Sequence, residues 1–196
     1  MDRKFILSTT KNTRTTLPNS LRYVRSELPF ELSEEDKQKL LDNNIRTAID
    51  LRSIEEARAL PCCLAKDERF HFINIPVTGG NQIPPTPDDV AFYYSHMVDS
   101  TMDKIIKTIE ECETGVLYFC YAGKDRTGIV SALLQRRAGL DREYIMDDYV
   151  QSAVNLKEEL QIYAQKNPQV NIEALTPQRR YMEEFLDFIE EKSCID

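Results

Sequence analysis

Apolar positions along this chain follow two rhythms in turn. Short apolar and β-branched runs at Leu21 to Arg25, Arg46 to Leu51, Phe70 to Pro76 and Val116 to Phe119 predict strands. Between them the spacing lengthens to that of helices. Ser33 stands as an N-cap, Asp36 completes a capping-box-like start, and the helix runs to about Leu41. Thr86 and Pro87 open a second helical region as N-cap and first-turn residue. It extends to about Cys112 with a break near Asp99 and Ser100, and Ile105, Ile106 and Ile109 line one face of its second half. The run beginning Ile129-Val130 predicts a helix that stops at Ala138-Gly139. Asp141 caps a helix over Tyr144 to about Ser152, which Asn155 to Gln165 continues or restarts. Thr176 and Pro177 open a final helix with Tyr181, Phe185 and Ile189 four apart. Strands that alternate with helices predict an α/β fold with a mostly parallel central sheet flanked by helices. Residues 20–192 are expected to form a single domain, residues 1–19 an N-terminal extension and residues 193–196 a tail, with both ends poorly ordered.

Composition narrows the function classes. The net charge of −8, from 25 basic and 33 acidic residues, argues against nucleic acid as the main partner. It leaves open a cleft that is locally positive. No run approaches the roughly 18 apolar residues of a membrane span, so no stable membrane insertion is expected. The apolar stretch Phe5-Ile6-Leu7 is shorter than the roughly 7–15-residue core of a signal peptide. The five cysteines are odd in number and scattered, with neither a disulfide framework nor zinc-ligand spacing. A reducing, cytoplasmic setting is the expectation, with no metal site.

The chemistry concentrates in Cys120-Tyr121-Ala122-Gly123-Lys124-Asp125-Arg126-Thr127-Gly128. A strand leads into this segment and a helix leads out. Unpartnered N–H groups at a helix start and along a tight loop form a phosphate site. The same field favours thiolate, the reactive form, in a cysteine at its focus. Arg126 adds a planar fork suited to two phosphate oxygens. Gly123 fits an unusual backbone turn, and Gly128 a close helix contact. Thr127 places a hydroxyl where it can donate to the sulfur. Tyr121, Ala122, Gly123, Lys124, Thr127 and Gly128 are thus candidate phosphate-binding residues, and Cys120 and Arg126 are candidate catalytic ones. The implied reaction is attack of the Cys120 thiolate on phosphorus, giving a phosphocysteine that water hydrolyses, with no cofactor.

This segment resembles the signature loop of the cysteine-dependent tyrosine and dual-specificity phosphatases. Ala122 to Gly128 is similar to a bacterial branch related to secreted tyrosine and lipid phosphatases. Leu21 to Glu27, Leu32-Ser33, Ile49 to Ser53 with Glu55, and Asp148-Tyr149 extend the resemblance over roughly residues 20 to 190. It implies a dual-specificity-phosphatase-like fold. Two departures stand out. Phe119 occupies the position before the cysteine, where the family usually has histidine. After Phe72 to Pro76 the chain continues Val77-Thr78-Gly79-Gly80-Asn81, without the acid that the branch tends to carry.

A leaving alcohol or phenol needs a proton. Asp125, inside the loop, is the first choice of catalytic acid. Asp88 and Asp89 lie at about the separation from Cys120 that related phosphatases use for a mobile acid, although acids also suit a helix's first turn. A site without a dedicated acid is the third possibility. Asp50 and Arg52 read as a buried salt bridge or a substrate contact, and Arg179-Arg180 as a solvated face. His71 and His96 have no motif around them. Phe92, Tyr93 and Tyr94 are consecutive, cannot share one helix face, and read as partly buried core. Three functions follow. The first is a phosphatase of phosphorylated protein, acting on phosphotyrosine with phosphoserine and phosphothreonine as further substrates. The second is a phosphatase of phosphoinositides or other polyphosphorylated small molecules, for which Lys124 would supply the extra cation. The third, motivated by Phe119, is a weakened phosphate-binding module.

Overall fold

The sheet is built around the most apolar strand of the chain. A computed structural model describes residue 5 and residues 7–193. Its strands are β1 (Arg14–Thr15), β2 (Tyr23–Ser26), β3 (Ile45–Asp50), β4 (His71–Asn74) and β5 (Gly115–Phe119), in the order β1-β2-β5-β3-β4. All neighbours are parallel except β1 with β2. β5 is buried along its whole length, as a central parallel strand covered on both faces must be. Its side chains alternate: Val116, Tyr118 and Cys120 face one core, Leu117 and Phe119 the other.

The helices are α1 (Glu34–Asp42), α2 (Ile54–Ala59), α3 (Val90–Ser95), α4 (Ser100–Glu111), α5 (Asp125–Arg137), α6 (Arg142–Asn155), α7 (Lys157–Lys166), α8 (Ile172–Leu175) and α9 (Arg179–Ser193). Residues of α3, α4, α5, α6 and α9 pack with Val116 and Tyr118, while Leu40 and Leu41 of α1 pack with Leu117 and Phe119. This is the expected mostly parallel α/β sheet flanked by helices. The helical region after Thr86 begins as a 3-10 turn at Pro87–Asp89, and its second half restarts where Asp99 accepts from the Thr101 and Met102 amides. β1, α2 and α8 had no counterpart in the sequence pattern. Each is short, which leaves too few residues for a period to register. Among the described residues no helix is long and apolar enough to cross a membrane.

The expectation that the first 19 residues are poorly ordered is corrected for the described part of that segment. Phe5 and Leu7 are buried in the Phe119 core, and β1 adds an edge to the sheet. Burying such side chains is worth about 1.5–3 kcal/mol each, enough to order a terminus. Asp36 takes part in this and does not close a reciprocal capping box. Ser33 Oγ accepts from the Asp36 amide, but the Asp36 carboxylate holds Ser8 through its amide at 2.9 Å and its hydroxyl at 2.6 Å. Of the expected tail, Ser193 ends α9 and residues 194–196 lie outside the described residues, as do residues 1–4 and 6.

Candidate active site

β5 ends at Phe119, Cys120 follows, and α5 begins at Asp125, so the loop between them must reverse direction in few residues. Gly123 makes this possible. Its φ is +67°, and a Cβ there would stand 2.4 Å from the Ser26 carbonyl oxygen. The loop is held from behind by its carbonyl oxygens. The Leu28 amide donates to Tyr121 O at 3.0 Å, Asn12 Nδ2 donates to Ala122 O at 3.1 Å and Gly123 O at 3.0 Å, and Arg25 Nη2 donates to Gly123 O at 2.9 Å. In a trans peptide the N–H points opposite to the C=O. Carbonyls drawn backward therefore turn the amides of Ala122, Gly123 and Lys124 forward, as an anion cradle requires.

The rear brace is a buried charge cluster. Asp148 of α6 accepts from Arg25 Nη1 at 2.5 Å and from Arg14 Nε at 2.7 Å, and all three side chains are buried. Arg14 Nη1 also donates to Asn12 Oδ1 at 2.6 Å, which ties the N-terminal segment to the loop it supports. Burial, then the neighbouring Arg25, push the Arg14 pKa down to about 10 against the pull of Asp148.

Arg126 in the first turn of α5 is fixed by a partner absent from the sequence reading. Glu56 of α2 accepts from its Nη1 at 2.6 Å and its Nη2 at 2.9 Å, a bidentate pair that sets the guanidinium plane. Burial works to lower the Arg126 pKa, but the bonds to Glu56 and the proximity of Cys120 outweigh it and the shift is upward. Burial likewise works to raise the Glu56 pKa, and the Arg126 and Ser53 hydrogen bonds bring it below its ordinary value. Glu56 is itself oriented by a capping box with Ser53. The Ser53-x-x-Glu56 spacing was therefore a usable signal. Gly80 lies against the same arginine: a Cβ at this position would meet Arg126 Cγ at 2.4 Å and Cδ at 2.5 Å. No spacing rule marks that approach.

A cleft of about 580 Å³ opens over the loop, lined among others by Cys120, Tyr121, Ala122, Lys124, Asp125 and Arg126. Cys120 is 3% exposed. Asp125 faces the cleft, while its Oδ1 accepts from Tyr94 at 2.5 Å and Lys124 Nζ contacts Oδ1 at 2.8 Å and Oδ2 at 2.7 Å. Asp88 and Asp89 are not among the cleft residues: Asp88 pairs with Arg180 at 3.1 Å, and Asp89 accepts from Thr86 in a local cap. The Thr127 hydroxyl is buried without a hydrogen-bond partner, so the expected bond to the cysteine sulfur is not made. Gly128 does allow a close helix contact, its missing Cβ standing 3.3 Å from the Tyr149 ring. Phe119 points away from Cys120 into the core that holds Phe5 and Leu7.

The weaker candidates resolve as local structure. Asp50 and Arg52 form a fully buried salt bridge at 2.7 Å, and Arg52 Nη1 donates to Leu60 O. Arg179 pairs with Glu143 and with Asp147, on exposed surface. The His96 ring lies tilted against Phe92 at 4.2 Å, and His71 is exposed on β4. The aromatic triplet splits: Phe92 is 62% exposed and Tyr94 is 2% exposed with its hydroxyl on Asp125.

The model of the tyrosine phosphatase family matches residues 8–193. This chain belongs to that family. The match takes in the N-terminal brace as well as the loop. A tyrosine-protein phosphatase from Nostoc commune is 28% identical over 141 residues, covering 67% of this chain and 48% of that protein. The triple specificity protein phosphatase PtpB from Mycobacterium tuberculosis is 57% identical over 37 residues, 19% of this chain and 13% of that one. The chain thus covers less than half the length of either relative. Among solved structures, Tk-PTP in its active form aligns over 91% of this chain and 97% of its own at 18% identity and a TM-score of 0.47. P. aeruginosa TpbA aligns over 88% and 91% at 15% identity, also with a TM-score of 0.47.

Proposed function

We propose that this tyrosine phosphatase family member hydrolyses phosphate monoesters through a phosphocysteine on Cys120, with phosphotyrosine in proteins as its principal substrate. The loop sequence Ala122 to Gly128 places it, on this reading, in the bacterial branch. The observation that carries the reaction is the joint placement of three parts. Cys120 lies in the cleft, the carbonyls of Tyr121, Ala122 and Gly123 are drawn to its rear, and Glu56 orients Arg126 beside it.

The steps follow from these parts. Forward-turned amides and Arg126 bind the non-bridging phosphate oxygens. The Cys120 thiolate attacks phosphorus, an S–P bond forms and the P–O ester bond breaks. Asp125, which lines the cleft at the start of α5, gives its proton to the departing oxygen. Water then attacks the phosphocysteine, Asp125 takes a proton from it, and the thiolate leaves as phosphate is released. Thr127, its hydroxyl otherwise unpartnered, is the group to hydrogen-bond the sulfur as charge returns to it.

The lining favours a phosphotyrosine over a polyphosphorylated ligand. Lys124 is buried and paired with Asp125, Arg126 with Glu56, and Lys11 at the rim with Glu158 and Glu159. Each of these cleft cations already has a carboxylate, so a second phosphate would have to displace one. Ile83, Leu156, Leu160, Tyr163 and Leu175 also line the cleft and suit an aryl group. The test is a substrate panel of phosphotyrosine, phosphoserine and phosphothreonine peptides and inositol phosphates, with Cys120→Ser as control. Phosphotyrosine hydrolysis that vanishes in the control is expected. Faster turnover of inositol polyphosphates would reverse the substrate order, and phosphate binding without any turnover would leave only a binding module.

A further inference from the structure

Beneath Asp125 lies a pair of buried tyrosines that the reaction above does not use. Tyr94 comes from α3 and Tyr149 from α6, with the rings edge to face at 6.0 Å. The Tyr94 hydroxyl donates to Asp125 Oδ1 at 2.5 Å, and the Tyr149 hydroxyl lies 2.6 Å from that of Tyr94. A phenol has one proton to donate. With the Tyr94 proton committed to Asp125, Tyr149 is the donor in the second contact, and the chain runs from Tyr149 through Tyr94 to the carboxylate. Donors in series strengthen one another.

Both phenols remain donors. Burial first, then the charge of Asp125, push their pKa values well above the ordinary tyrosine value. Their rings are locked as well as buried: Tyr94 also meets Phe185 edge to face at 6.4 Å, and Tyr149 fills the space that Gly128 leaves open. The carboxyl they hold is different. The Asp125 side chain is 35% exposed and otherwise paired with the buried Lys124 beside it in the chain. Its bond to Tyr94 is its link to a separate element of the core, α3. That bond fixes Oδ1, so Oδ2, which Lys124 Nζ also contacts at 2.7 Å, is the oxygen without a partner from another element of the core.

We propose that Tyr94, oriented by Tyr149, is a positioning residue that anchors Asp125 through Oδ1 and presents Oδ2 to the leaving-group oxygen. The proposal rests on the phosphatase reading and on Asp125 as its acid.

The experiment measures kcat/KM of the purified chain on phosphates ranging from p-nitrophenyl to simple alkyl esters, because only poor leaving groups depend strongly on a placed acid. Tyr94→Phe is expected to lower the alkyl rate about tenfold more than the p-nitrophenyl rate, part of the roughly 100-fold or larger effect of a general acid. Tyr149→Phe, which leaves Tyr94 in place, should steepen the leaving-group dependence less. Tyr94→Phe added to Asp125→Asn should steepen it no further than Asp125→Asn alone. Equal losses on all esters would show a merely structural role and overturn the proposal, as would effects additive with Asp125→Asn. If Tyr94→Phe fails to fold, a Tyr149→Phe dependence as shallow as wild type overturns it. A wild-type chain without Cys120-dependent hydrolysis would fell the phosphatase reading itself, and the positioning role with it.

Discussion

Asn12→Ala should weaken the Cys120 loop from behind, although residue 12 stands more than a hundred positions from it in the chain. The substitution deletes the bonds from Nδ2 to Ala122 O at 3.1 Å and Gly123 O at 3.0 Å, and the Oδ1 acceptor that holds Arg14 at 2.6 Å and Asn155 at 3.2 Å. Gly123 O keeps Arg25 at 2.9 Å, and Arg14 keeps the residue 12 carbonyl at 2.9 Å. The Ala122 carbonyl takes the largest loss and the others a share. A buried polar group that loses its partner costs about 1–3 kcal/mol, so a total of about 2–4 kcal/mol is expected. For a chain of this size that is a fall of roughly 5–15 °C in Tm. The peptide whose carbonyl is released can also rotate, turning the Gly123 amide away from bound phosphate. Losing one such bond, about 1.4 kcal/mol, raises the inhibition constant of inorganic phosphate about tenfold. Urea unfolding measures the first effect and competitive inhibition the second. Asn12→Asp keeps the size but sets an acceptor against two carbonyls, and should be at least as damaging. An Asn12→Ala protein within about 0.5 kcal/mol of wild type, with phosphate affinity unchanged, would refute the brace.

Three further outcomes follow from the same site. The Glu56 pKa is below its ordinary 4.5 in the folded chain, so its contribution to stability is complete above that value and is lost as pH falls through the folded pKa. Glu56→Gln should flatten that part of a stability–pH profile and, by loosening Arg126, lower kcat/KM by up to about 100-fold at neutral pH; an unchanged profile would remove the linkage. Gly80→Ala puts a Cβ 2.4 Å from Arg126 Cγ and should cost at least about tenfold in kcat/KM, measured on a phosphotyrosine peptide, with less loss of Tm than Asn12→Ala. Asp148→Asn leaves the buried Arg14 and Arg25 without their shared carboxylate and should cost about 3–5 kcal/mol in urea unfolding; a loss below about 1 kcal/mol would show that the pair tolerates a neutral partner.

Local features were legible where short-range physics determines them. The alternation of strands and helices, the glycine turn at Gly123 and the stop at Gly139 follow from neighbours a few residues apart, and that alternation in turn implies the parallel sheet whose strands pair across distant segments. Asp36 shows the limit. Its position in the chain suited a capping box, but the carboxylate went to Ser8, because a tertiary partner that orders a buried terminus competes with a local cap. Tyr94 shows it again. Adjacent aromatics cannot share a helix face, but the rule does not say which one turns inward to meet an acid from another helix.

What the sequence by itself determined is the candidate loop: a cysteine at the end of a buried strand, an arginine in the first turn of the helix that follows, and a glycine at the turn between them. These lie within nine consecutive residues, so their geometry is a property of the local backbone. Only the tertiary structure decided what holds that loop in working shape: Asn12, Arg14 and Asp148 behind it, Glu56 and Gly80 against Arg126, Tyr94 and Tyr149 beneath Asp125. Each of these is a contact between distant segments. Such contacts arise from burial, which removes water from polar groups and obliges each to find whatever partner the packing brings within reach.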